Sequence, residues 1–109
     1  MTKVEVLDLV TVGRSLPADT DHAITGNLKG KVLLIRLEPG RAYPTEIHQH
    51  ATETILALSG RFVIEADGHS YAVSQGQCCR IPPGLEHRWG SDSDAVVQVH
   101  FGTPCRDEA

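Results

Sequence analysis

The stretch Gly40–Gly60, G-R-A-Y-P-T-E-I-H-Q-H-A-T-E-T-I-L-A-L-S-G, decides how the rest of the chain is read. At its centre, Glu46 to Glu53 runs E-I-H-Q-H-A-T-E, so His48, His50 and Glu53 concentrate three side chains of the types that divalent metals accept. On an extended strand, residues two apart share a face and their Cα atoms lie about 7 Å apart, so His48 and His50 can converge on one ion. Glu53 has the opposite parity and reaches the same side only if the chain turns or bulges at Ala51-Thr52.

Working outward, short β-branched runs are separated by Gly and Pro at nearly every break. Val4–Val12 has the composition of a strand, and His22–Leu28 of a short one. Lys31–Leu37, with V-L-L-I-R-L at its heart, is the strongest strand of the first half, and Pro39-Gly40 ends it. Arg36 within it either snorkels to solvent or contacts an anion in a pocket. Thr54–Leu58 is followed by Phe62–Glu65 and Ser70–Val73, which flank Asp67-Gly68, a strong hairpin signal. Gly76–Ile81 is a strand stopped by Pro82, Pro83 and Gly84. Ala95–Phe101 is the last, with Val97, Val99 and Phe101 on one face and Gln98 and His100 on the other. No helical stripe of ten or more residues is present, so the expected class is all-β, a sandwich or barrel.

The bulk properties fit one domain over residues 1–109. The chain has 109 residues, is 40% hydrophobic and 22% charged, and carries a net charge of −4 without a basic run. Such a surface offers no footprint for nucleic acid, and a small molecule is the expected partner. No segment is apolar enough for a signal peptide or a membrane span, so a cytoplasmic location is expected. The three cysteines, Cys78, Cys79 and Cys105, are odd in number and two are adjacent, which disfavours a disulfide framework. Cys78 and Cys79 are adjacent as a soft-metal or redox pair would be, but in a strand neighbours point to opposite faces, which favours one buried thiol and one exposed or facing a pocket; Cys105 sits in a polar tail.

The downstream stretch Gly76–His87, G-Q-C-C-R-I-P-P-G-L-E-H, forms a rigid turn that fixes where His87 projects, making it a candidate fourth ligand. Together the two stretches resemble the cupin family. Gly40, His48, His50, Glu53 and Gly60 match its first motif, a Gly, a His-x-His pair, a Glu, six residues and a Gly. Gly76, Pro82, Gly84 and His87 match its second. In two places the chain departs from the pattern. Only Ala51 and Thr52 separate His50 from Glu53, where three or four residues are usual, and Ser91 stands where the second motif often ends in Asn. The resemblance covers Gly40–Ser91.

The resemblance implies a single-domain antiparallel jelly-roll β-barrel, commonly a homodimer, holding one divalent transition metal through His48, His50, Glu53 and His87. Fe, Mn, Ni and Zn all fit those donors. Three imidazoles and one carboxylate would leave the ion with a single positive charge and positions open for substrate. Trp89 shares the face of His87 if the strand continues, as a pocket wall or as core. His100 is either a general acid or base opposite the metal or an outward-facing residue. His22 and His69 read as solvated. The expected function is a metal-dependent enzyme on a small organic molecule, a dioxygenase or a sugar-acid isomerase or lyase. The alternatives are a non-catalytic binding or sensing module and a barrel without metal.

Overall fold

The computed structural model describes residues 4–25 and 32–102. Among these residues one short helix, α1 (Leu9–Arg14), precedes nine strands: β1 (His22–Thr25), β2 (Val32–Leu37), β3 (Arg41–Ala42), β4 (Thr52–Ser59), β5 (Arg61–Ala66), β6 (His69–Ser74), β7 (Cys78–Ile81), β8 (His87–Ser91) and β9 (Ala95–Gly102). All pairings are antiparallel and form two sheets, ordered β1-β2-β9-β4-β7 and β3-β8-β5-β6. This is the expected jelly-roll arrangement of antiparallel strands.

The sheets face each other across a core of Leu37, Ile55, Ala57, Phe62, Ile64, Trp89, Val97 and Val99. The alternation that marked β9 is kept: Val97 and Val99 are buried and His100 is exposed. In β4 the inward residues Glu53, Ile55, Ala57 and Ser59 are buried, while Thr54, Leu56 and Leu58 lie half-buried on the other face. Strand alternation therefore aims a carboxylate, Glu53, into an apolar interior.

The β5–β6 hairpin turns at Asp67 and Gly68 with φ of 52° and 74°, the pair of positive values that a type I′ turn requires. Arg36 ends beside Asp94, with Nε 3.3 Å from the carboxylate, and donates a second hydrogen bond to the Leu16 carbonyl, so it serves the outside of the fold.

The strand expected over Val4–Val12 is not formed. Asp8 caps a helix instead, its carboxylate accepting from the Thr11 N–H at 3.1 Å. Gly13 lets that helix lie against β9, where an added Cβ would come within 2.3 Å of the Val96 side chain. Capping and close packing thus outweigh the β-branched composition of the run. Val4 and Val6 lie outside any element and are exposed. Of the strand expected over His22–Leu28, residues 22–25 are β1; the remainder, and Lys31 of the next strand, lie outside the described residues.

The adjacent thiols separate as strand alternation requires. Cys78 is exposed, whereas Cys79 packs against the core and burial pushes its thiol up to about 11. Iodoacetamide at pH 8 is therefore expected to alkylate Cys78 in the folded protein and Cys79 only after denaturation. Fragment mass spectra of the peptide containing both thiols read the outcome, and equal labelling of the two in native buffer would contradict it.

Candidate metal centre

The first inward segment of the site is built against β8. Arg41 pairs with Ser91 and Ala42 with Gly90, and the Tyr43 N–H donates to the Trp89 carbonyl at 2.9 Å. Further along, Glu46 and His87 exchange both backbone hydrogen bonds, at 2.8 and 3.0 Å. Between these pairs, Pro44 and Thr45 face the single residue Arg88, so the ladder slips by one residue in the manner of a β-bulge. Pro44, which lacks an N–H, sits where the ladder is interrupted. Because of the slip, Tyr43 and Glu46, three apart in sequence, both face Trp89 and His87 across the strand pair.

His48 follows two residues after Glu46 on the same face, and its carbonyl accepts from the Gly84 N–H at 2.8 Å. The chain then bends at Gln49-His50, which carries His50 out to solvent. Glu53 enters at the start of β4, paired with Ile81 on one side and Phe101 on the other. His87 opens β8 after the Pro82-Pro83-Gly84 turn, where Gly84 has φ of 81°.

The group that results is Glu46, His48, Glu53 and His87, whose ligating atoms all lie within 4.8 Å of one another. His87 Nε2 is 2.8 Å from Glu53 Oε1, His48 Nε2 is 3.5 Å from the same oxygen, and His48 Nε2 is 3.1 Å from Glu46 Oε2. His87 Nδ1 faces the Leu85 carbonyl at 2.9 Å. A carbonyl only accepts, so that nitrogen carries the proton in the neutral ring and Nε2 presents its lone pair to the group. The His48 ring lies edge-on to Phe101, with centroids 4.8 Å apart, which limits its rotation.

Glu53 and His87 are each 2% exposed, whereas the Glu46 side chain retains 40% exposure. Burial pushes the Glu53 carboxyl above the ordinary carboxylate range, with His48 and His87 opposing the shift. A buried carboxyl flanked by two imidazoles is costly unless a proton or a cation completes it. Two imidazole nitrogens and two carboxylate oxygens are hard-to-borderline donors and fit a divalent first-row ion.

Of the four ligands expected from the sequence, His48, Glu53 and His87 are brought together and His50 is not. Glu46 stands in the group instead. The signal that could have located it is the spacing itself. Taking Glu46 and His48 as the pair leaves four residues, Gln49 to Thr52, before Glu53, which removes the shortened gap that a His48-His50 pair requires. His100 is exposed on the outer face of β9, away from the group, because Val97 and Val99 occupy the inner face.

Beside the donor group lies a cavity of about 160 Å³ whose walls include Glu46, Glu53, Tyr43, Trp89 and Phe101. Tyr43 stacks on Trp89 with ring centroids 4.9 Å apart, and Phe62 meets Trp89 edge-on at 5.7 Å. Trp89 is thus both a cavity wall and a core residue. Larger clefts, of about 570 and 680 Å³, open along β5, β6 and β7, and the smaller of the two reaches His87, whose side chain is itself fully buried.

Comparisons with known proteins agree with this architecture. The family model described as "Cupin domain" matches residues 33–101. Quercetin 2,3-dioxygenase of Bacillus subtilis (strain 168) is 32% identical over 77 residues, 71% of this chain. The match spans only 23% of that enzyme's length. Among solved structures, TT1209 from Thermus thermophilus superimposes with a TM-score of 0.79 at 22% identity, covering 92% of this chain and 98% of its own. A cupin-2 domain containing protein from Shewanella frigidimarina gives 0.77 at 15% identity, covering 92% and 95%. At these identities the structural likeness speaks for the fold alone.

Proposed function

Because this chain belongs to the cupin family, we propose that it holds one divalent metal through Glu46, His48, Glu53 and His87 and acts there on a small organic molecule, most simply as a dioxygenase. The observation that carries this reading is the convergence of four donor atoms within 4.8 Å at the side of an aromatic-walled cavity. The curated relative, a dioxygenase by name, favours oxygen chemistry over isomerisation. Fe(II) and Mn(II) suit a donor set divided between imidazole and carboxylate.

When bound, such an ion supplies Lewis acidity toward a substrate oxygen and, if redox-active, a route for electrons. The protein's own contributions follow from placement. Leu85 fixes the His87 tautomer, Phe101 limits the rotation of His48, and the apolar wall around Trp89 excludes water from one side. Glu46, the most exposed of the four, would offer the carboxylate oxygen it does not turn toward His48 to a substrate hydroxyl entering from solvent.

The test is oxygen uptake by protein reconstituted separately with Fe(II), Mn(II), Ni(II) and Zn(II), assayed with catechols, enediols and flavonols. Uptake that requires both a redox-active ion and a substrate, and that falls at least about 100-fold in Glu53→Gln, is expected. Protein that binds an ion stoichiometrically yet shows neither turnover nor a substrate-dependent change in the metal spectrum would exclude the enzymatic reading.

A further inference from the structure

We propose that the cavity beside the donor group admits an uncharged or cationic molecule about one six-membered ring in size and rejects organic anions. The assignment rests on the metal-site reading for its chemistry, but the selection arises in the cavity walls themselves.

Size is set by volume. The cavity measures about 160 Å³, and a protein cavity of roughly 150 Å³ holds benzene. One ring fills it, and a fused pair would have to project into solvent. The aromatic wall of Tyr43 and Trp89 offers a flat apolar surface for that ring.

Charge is set by four carboxylates on the lining: Asp19, Asp21, Glu46 and Glu53. No lysine or arginine lines the cavity among the described residues. Arg41 approaches Asp19 at 3.4 Å, but its side chain is 60% exposed and directed to the surface, where solvent screens it. The Tyr43 hydroxyl donates to Asp19 and is therefore not free to receive an anion. A divalent ion held by Glu46 and Glu53 would be neutralised by those two carboxylates, leaving Asp21, itself exposed to solvent, and Asp19, partly offset by Arg41, as the remaining negative charge around the ring. With three imidazoles and one carboxylate the ion would have kept a positive charge that attracts anions, and the presence of Glu46 in the group removes it. A carboxylate ligand therefore meets net repulsion from walls that carry no lysine or arginine among the described residues, with Arg41 outside them at the surface.

The chain's single tryptophan, Trp89, forms part of the cavity wall and reports on occupancy. Benzyl alcohol, benzylamine and benzoate share one ring and differ in charge. Titrated into metal-free and metal-loaded full-length protein, with Trp89 fluorescence and its indole N–H resonance as readouts, the first two are expected to bind at least about tenfold more tightly than benzoate. Asp21→Asn should narrow that ratio about threefold, and 2-naphthylmethanol should bind more weakly than benzyl alcohol. Benzoate binding as tightly as benzyl alcohol, an unchanged ratio in Asp21→Asn, or no perturbation of Trp89 by any of the three would overturn the proposal. A protein that takes up no metal but still discriminates against benzoate would defeat the metal reading and leave the cavity assignment standing.

Discussion

Replacing Glu46 or His48 by alanine is expected to weaken binding of a divalent ion by more than about 100-fold, whereas His50→Ala leaves it unchanged. Loss of a partner that merely orients a ligand costs about 10- to 100-fold in affinity, and a group that itself donates to the ion should cost at least as much. Both side chains are partly exposed, 40% for Glu46 and 28% for His48, so their truncation opens no sealed cavity and the fold should survive. Metal content by elemental analysis after gentle purification, together with competitive titration against a chelator, gives the three affinities. The contrast between Glu46 and His50 is decisive, because the two assignments of the first ligand pair differ only there. If His50→Ala lost the metal and Glu46→Ala kept it, the group described above would not be the site.

The second large effect belongs to the fold. Gly60 joins β4 to β5 with φ of 71°, and a Cβ added there would lie 2.5 Å from the Asp94 carbonyl oxygen and 2.9 Å from Ala95. Two penalties coincide in Gly60→Ala. A left-handed conformation costs a non-glycine residue about 1–2 kcal/mol, and a clash with backbone that cannot rotate away adds about 1–3 kcal/mol. Destabilisation of about 2–5 kcal/mol is expected from urea unfolding of the metal-free protein. Gly40→Ala is the control, since it shares the positive φ, at 80°, but has nothing within 4 Å of the added atom. It should lose only the conformational part. Equal losses in the two variants would mean that the approach of Asp94 is not what Gly60 accommodates.

The residues themselves announced most of the architecture. The alternation of Val97, Val99 and Phe101, the Asp67-Gly68 turn and the Val32–Leu37 run are local patterns, and each became the element its pattern implies. Two features escaped for physical reasons. The helix at Leu9 depends on a cap at Asp8 and on contact between Gly13 and Val96, a residue far along the chain that no local propensity reports. Glu46 shares the parity of His48 and His50, so alternation alone could not choose between the two pairs, and the bend at Gln49-His50 that turns His50 to solvent has no local signature in the sequence. The family spacing, which does not depend on parity, already accommodated Glu46 and His48, and the extra histidine at position 50 drew attention from it.

Glu53 stands on the five-stranded sheet and His87 on the four-stranded one, so the donor group is assembled across the gap between the two layers rather than within a single loop. An ion shared by them would act as a rivet. Opening of β8 away from β4 and release of the ion would become one cooperative event, and the two layers, otherwise joined there by apolar contact and the His87–Glu53 pair, would fray together or not at all. Metal supply would then govern how long this protein persists as a folded chain as well as what chemistry it can perform.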